Sequence, residues 1–139
     1  MRVLIDTNII LDWLAHRSPF YEKAAQIIKE CFVGNLEGYV TSHTMTDLFY
    51  ILRKDFCIEE RKELLLLICR HFQIISEDKA MMISVLSDEN CRDFEDGLQM
   101  KCAALRRLDF IITRNIPDFE NSVTIAMSPE DFLEMYYGI

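Results

Sequence analysis

The sequence predicts an α/β fold with a largely parallel central sheet. Two observations carry this expectation. Short apolar runs of strand length alternate with longer stretches whose apolar residues recur at helical spacing, as in strand–helix–strand crossovers. Four isolated carboxylates, Asp6, Asp47, Asp96 and Asp118, each stand at the start or end of a predicted element. Open parallel sheets bind ligands outside the carboxyl ends of their strands, so acids scattered in sequence can converge there. With 139 residues, 50% of them hydrophobic, the chain has apolar surface enough for one core, and a single domain over residues 1–139 is expected.

Taken in order, Val3-Leu4-Ile5 reads as the first strand, and Ile9, Ile10, Trp13 and Leu14 form the apolar face of a helix after it. Ser18-Pro19 opens a second helix through about Phe32, and Gly34 and Gly38 bracket a turn into the strand Tyr39-Val40-Thr41. A helix from about Thr44 follows, with Met45, Leu48, Phe49, Leu52 and Phe56 on its buried side. Another, from about Ile58 to His71, makes a hairpin with it. Residues 72 to 75 read as a strand, 79 to 86 as a helix and 94 to 107 as the next helix. Residues 110 to 113 and 123 to 126 complete the strands, and Pro129 starts a final helix at its favoured first-turn position.

The net charge of −8 counts against a passive nucleic-acid binder, which needs a basic surface for phosphates. A protein using divalent ions is less affected, because bound cations reverse the sign of an acidic site. The five cysteines form no CxxC pair and are odd in number, so reduced, mostly buried thiols are expected, not a disulfide framework or zinc site. The chain has no charged-then-apolar leader and no apolar stretch of the ~20 residues that a membrane span needs. A soluble cytoplasmic protein with no membrane partner is expected. His16, His43 and His71 form no spaced ligand set and are given no catalytic role, and Phe49, Tyr50 and Phe56 are read as core.

Each acid has a structural alternative. Asp6 could cap the helix beginning near Asn8, although Thr7 and Asn8 could do so equally well. Thr44-x-x-Asp47 resembles a capping box with aspartate in place of glutamate. In Asp93-Phe94-Glu95-Asp96 the macrodipole favours acids whatever the function; Asp93 is read as the cap and Asp96 as the inward ligand, on one helix face with Gln99 and Ala103. Asp118 follows Pro117 in a loop, where turn chemistry alone accounts for aspartate. Carboxylates gathered at one sheet end repel one another unless protonated or bound to a cation, and all-oxygen ligation suits Mg²⁺ or Mn²⁺.

Together these segments resemble the PIN domain, the fold of the VapC-type toxin ribonucleases. The matching stretches are Val3 to Asn8, Ser42 to Asp47 before a Tyr-Ile-Leu-Arg helix, Asp93 to Gln99, Ile111 to Asn115 through Asp118-Phe119, and Ser128 to Leu133. They occur in family order over nearly the whole chain. The resemblance implies a Rossmann-like three-layer sandwich, a mainly parallel sheet flanked by helices, with Asp6, Asp47, Asp96 and Asp118 in the acidic roles. Many members carry glutamate where Asp47 stands; the shorter aspartate could reach a metal through water. Asn115 is the alternative to Asp118 for the last role, and Gly97 stands where alanine is more usual.

The implied activity is endoribonuclease hydrolysis of single-stranded RNA regions, with one or two Mg²⁺ or Mn²⁺ ions held chiefly by Asp6 and Asp96. Asp118 and Asp47 would complete the shell or orient water, and the ions would activate water and offset charge on the phosphate. Thr7 and Asn8 are assigned to positioning water or a phosphate oxygen, Thr113 to supporting the acids, and Arg114 either to substrate phosphate or to an ion pair. A homodimer and an antitoxin partner are implied as well. The alternative is a non-catalytic PIN-fold module that binds nucleic acid or protein. A phosphohydrolase of the haloacid-dehalogenase type would need a second aspartate two residues after Asp6, where Asn8 stands.

Overall fold

The structure, a computed structural model, describes residues 1–138. Five strands form one parallel sheet: β1 (Arg2–Ile5), β2 (Glu37–Thr41), β3 (Gln73–Ile75), β4 (Phe110–Ile112) and β5 (Ile125–Met127), in the order β3-β2-β1-β4-β5. Seven helices connect or follow them: α1 (Thr7–Leu14), α2 (Tyr21–Phe32), α3 (Ser42–Ile51), α4 (Ile58–His71), α5 (Lys79–Leu86), α6 (Phe94–Leu105) and α7 (Pro129–Tyr137). The chain builds outward from β1 to β3, then returns to add β4 on the other side of β1. The order reverses between β1 and β4, which makes the crevice at their carboxyl ends the ligand position of this topology.

The three layers follow from the period-2 alternation of the strands. Val3, Ile5, Val40 and Ile112 face one side and pack with α1, α2, α3 and α7 through Ile9, Ile10, Ile27, Ile28, Leu48 and Phe132. Leu4, Tyr39, Ile75 and Ile111 face the other and pack with α5 and α6 through Met81, Val85, Leu98, Cys102 and Ala103. Local chemistry sets the helix ends. Asp78 Oδ1 accepts from the Met81 N–H at 2.9 Å to start α5, and Ser128 Oγ from the Asp131 N–H at 3.1 Å to start α7. Gly138, at φ +71°, closes α7 in the left-handed conformation that glycine adopts without strain. Arg61 Nη1 donates to the Phe49 carbonyl at 2.8 Å and pins α4 to α3 as the expected hairpin.

Several expectations are corrected. α3 begins two residues early, because Thr41 caps it and accepts from the Thr44 N–H at 3.2 Å; Thr44-x-x-Asp47 is therefore no capping box. β5 starts at Ile125, not at residue 123, because it pairs in register with Phe110; Val123 lies outside the strand and exposed. Tyr50 is 64% exposed, under the Arg53 guanidinium, and is not core. Of the cysteines, Cys31 and Cys102 are buried, Cys57 and Cys69 are exposed, and all five are free thiols. No helix among the described residues is long and apolar enough to cross a membrane.

Gly97 is required by the approach of α5 to α6. A Cβ there would lie 2.5 Å from Val85 Cγ1 and 3.0 Å from Cys91 Sγ, and buried, β-branched Val85 cannot swing aside freely. Gly97→Ala gains ~1 kcal/mol of helix propensity against ~1–3 kcal/mol of overpacking, so the variant should be less stable in urea unfolding. Adding Val85→Ala removes the clash and should eliminate the overpacking penalty specific to Gly97→Ala when both glycine and alanine are compared in that background.

Candidate active site

Asp6 follows β1 directly and Thr113 follows β4 directly. Because Ile5 pairs with Ile112, the two strand ends lie side by side. The Asp6 N–H extends the ladder to the Ile112 carbonyl at 3.0 Å. Asp6 occupies the N-cap position of α1 but makes no side-chain cap bond. Its Oδ1 instead accepts from Gln99 Nε2 at 2.9 Å and its Oδ2 from Thr113 Oγ1 at 2.8 Å, so the capping alternative fails for this residue. Thr113 Oγ1 in turn accepts from the Asn115 N–H at 3.0 Å, which fixes the hydroxyl that holds Asp6. The carboxylate is buried, yet two hydrogen bonds leave lone pairs on both oxygens for a cation.

The N-terminus of α6 brings the next acids to this edge. Asp93 caps it through Oδ1, accepting from the Asp96 N–H at 2.9 Å, as expected. Partial burial raises the Asp96 carboxyl from 3.8 to about 7, and the carboxylates of Asp93, Asp6, Asp118 and Glu95 add to that rise. Asp118 sits on the 3-10 turn Ile116–Phe119 between β4 and β5, its N–H bonded to the Asn115 carbonyl at 3.0 Å. Asp6, Asp96 and Asp118 thus share one electrostatic environment. They are not drawn into one tight shell: among the described residues, the ligand groups that converge within 4.8 Å of one another belong to His43, Asp47 and Glu95.

This donor set fits a hard divalent cation. Asp6 is held in place, and the charges acting most strongly on Asp96 are all carboxylates. Among the described residues the ligand oxygens of Asp6, Asp96 and Asp118 do not form a set within 4.8 Å of one another, so a shared cation requires them to draw closer together.

The remaining expected residues have other neighbours. Thr7 Oγ1 bonds to Thr44 Oγ1 at 2.8 Å and joins α1 to α3. Asn8 is half-buried on the first turn of α1, and Asn115 precedes the 3-10 turn. Arg114 takes the ion-pair alternative: its Nε and Nη2 donate to Asp12 Oδ2 and Oδ1 at 2.7 and 3.2 Å, and its guanidinium stacks on Phe20 at 3.9 Å. Asp47 lies beside Glu95, whose carboxyl is held above its ordinary range by burial and then by the Asp47 charge.

Sequence reasoning missed Asp12, His43, Glu77 and Glu95. An acid among Ile9, Ile10, Trp13 and Leu14 on the apolar face of α1 was the available signal for Asp12. Nothing local marks Glu77, which reaches α3 from beyond β3.

The raised Asp96 has a pH consequence. An acid with a folded pKa near 7 and an ordinary value of 3.8 binds more protons folded than unfolded across that interval. Its contribution therefore lowers stability as pH rises from about 4 to about 7. Solvent screening at this partly exposed group keeps the slope shallow. In chelator, Asp96→Asn should flatten this part of the pH–stability curve and leave the variant at least as stable as the wild type at pH 7; an unchanged curve would remove Asp96 from the cluster.

A parallel α/β sheet with acids gathered at its switch point defines the class of the molecule. The sequence profile of the PIN domain matches residues 2–117, and the chain belongs to that family. No curated protein matches it in sequence. Among solved structures, it is similar to a chain of a toxin-antitoxin complex from Klebsiella pneumoniae, at 22% identity and TM-score 0.68 over 91% of this chain and 97% of that one. It is also similar to FitAcB from Neisseria gonorrhoeae, at 18% and 0.67 over 92% and 98%. VapBC-1 from nontypeable Haemophilus influenzae matches at 14% and 0.69 over 94% and 99%.

Proposed function

We propose that the protein is a Mg²⁺- or Mn²⁺-dependent endoribonuclease that cleaves single-stranded regions of RNA in the cytoplasm, the toxin of a toxin-antitoxin pair. The observation that carries this reading is Asp6, fixed by Gln99 and Thr113 at the β1–β4 switch point, beside an Asp96 raised to about 7 by partial burial and then by the carboxylates around it. PIN-family membership supports the activity, and similarity to a chain of the toxin-antitoxin complex from Klebsiella pneumoniae supports an antitoxin partner. The implied homodimer belongs to the same reading.

Asp6, Asp96 and Asp118 would hold the cation, which when bound lowers the pKa of water and offsets charge on the phosphate. Gln99 and Thr113 keep Asp6 oriented, and Asp93 keeps the first turn of α6 in place so that Asp96 and Glu95 face the edge. Arg114, bonded to Asp12, stabilises the segment after β4 that carries Thr113 and Asp118.

The test is cleavage of a defined single-stranded RNA and its duplex by purified protein with Mg²⁺, Mn²⁺ or chelator, beside Asp96→Asn. The reading predicts metal-dependent cuts in the single strand alone, absent in the variant. Binding of RNA without cleavage under every condition would favour the non-catalytic module.

A further inference from the structure

A second constellation lies on the same edge of the sheet. Glu77, beyond β3, has a side chain only 3% exposed. It accepts from Ser42 Oγ at 2.6 Å and from the His43 N–H at 2.7 Å, and its Oε2 lies 2.6 Å from His43 Nδ1. Burial alone would raise the Glu77 carboxyl, but these hydrogen bonds carry it below its ordinary range, so it is an anion accepting the Nδ1 proton. Thr41 Oγ1, 3.1 Å from Nδ1, flanks the same ring edge. The other ring nitrogen, Nε2, is shielded from solvent and has no hydrogen-bond partner. A buried ring nitrogen without a partner is costly unless a ligand completes it.

A ring nitrogen of His43 lies within 4.8 Å of carboxylate oxygens of Asp47 and Glu95, which are themselves within that distance of each other. With Nδ1 committed to Glu77, the nitrogen free for a ligand is Nε2. We propose that His43, Asp47 and Glu95 form a separate binding site for a divalent transition-metal ion, with Glu77 as the positioning residue that orients the imidazole. A carboxylate–histidine pair directed at a metal is the arrangement that fixes the tautomer of a ligating histidine and raises its basicity. One nitrogen and two carboxylate oxygens suit Zn²⁺, Co²⁺ or Mn²⁺ better than Mg²⁺ or Ca²⁺. The site is open to solvent on its Glu95 side, which leaves room for water or a phosphate oxygen as a further ligand. It stands on its own geometry, independently of the RNA-cleavage reading.

The test uses the full chain with exposed Cys57 and Cys69 replaced by serine, so that thiols do not compete, and Zn²⁺ alone as the probe. Long-range ¹H–¹⁵N spectra should show His43 Nε2 moving on addition of one equivalent, while His16 and His71 stay fixed. Competition with a chromophoric chelator should show Zn²⁺ binding weakened by about tenfold or more in Asp47→Asn and in Glu95→Gln, and by about 10–100-fold in Glu77→Gln. Asp55→Asn, at an exposed acid outside both acidic sites, should bind as its parent does. Glu95 is exposed, and its replacement leaves the fold intact for comparison. A stationary His43 signal, parental affinity in both Asp47→Asn and Glu95→Gln, or loss of Zn²⁺ binding in Asp55→Asn would overturn the proposal. Because no RNA is present, these outcomes are separate from the success or failure of cleavage.

Discussion

Arg114→Leu should lower stability by about 3–5 kcal/mol, among the largest effects of any single substitution in this protein, because it strands a buried charge. Asp12 is fully buried on α1, and Arg114 meets it with two hydrogen bonds, while Arg17 Nη1 stands off at 3.9 Å. Removing the arginine leaves a carboxylate in the core with only that distant partner. Urea unfolding at neutral pH measures the loss. The double variant Asp12→Leu, Arg114→Leu should recover most of it, since replacing a buried ion pair with apolar groups is often near neutral. A substrate-phosphate role would give the opposite pattern: stability unchanged in Arg114→Leu and RNA cleavage alone reduced.

The double variant Asp6→Asn, Asp96→Asn should lose RNA cleavage by at least about 10³-fold, the rate equivalent of several kcal/mol of metal assistance. In chelator at pH 7 it should be at least as stable as the wild type, because the neutral amide at position 96 removes a charge that the site disfavours. Mn²⁺ at about 100 times its Kd should stabilise the wild type by about 2.7 kcal/mol through native-state binding at these carboxylates, a gain the double variant should lack. Thermal or urea unfolding with and without Mn²⁺, in the parent and with His43→Asn added to both proteins, separates this response from binding at His43. A full Mn²⁺ response in the double variant on the His43→Asn background would contradict the assignment.

The fold was legible because its signals are local. The alternation of Val3, Leu4 and Ile5 across the two cores, the Asp93 cap and the Pro129 start each follow from a few neighbouring residues. The start of β5 was not, because its register is set by pairing with β4 and not by its own apolar run. The acids Asp6, Asp96 and Asp118 stood out in the sequence through their placement at element ends; Asp6 and Asp118 add to the rise of the Asp96 carboxyl, but among the described residues the three do not form a set of ligand atoms within 4.8 Å of one another. What escaped were contacts across long separations. Asp12 with Arg114, and Glu77 with His43, are joined only by the topology that stacks the strand ends. His43 carries no sequence signal as a ligand because its partners come from α3 itself, from beyond β3 and from α6.

The central claim, that the carboxylates at the β1–β4 switch point bind a divalent cation, is tested most directly by anomalous diffraction from a crystal soaked in Mn²⁺. The account predicts a peak bounded by the carboxylates of Asp6, Asp96 and Asp118, with oxygen distances of about 2.0–2.3 Å, absent in the Asp6→Asn, Asp96→Asn variant. At saturating Mn²⁺, a wild-type crystal with no peak at Asp6 and Asp96, from a protein that still cleaves RNA in a Mn²⁺-dependent manner, would contradict it.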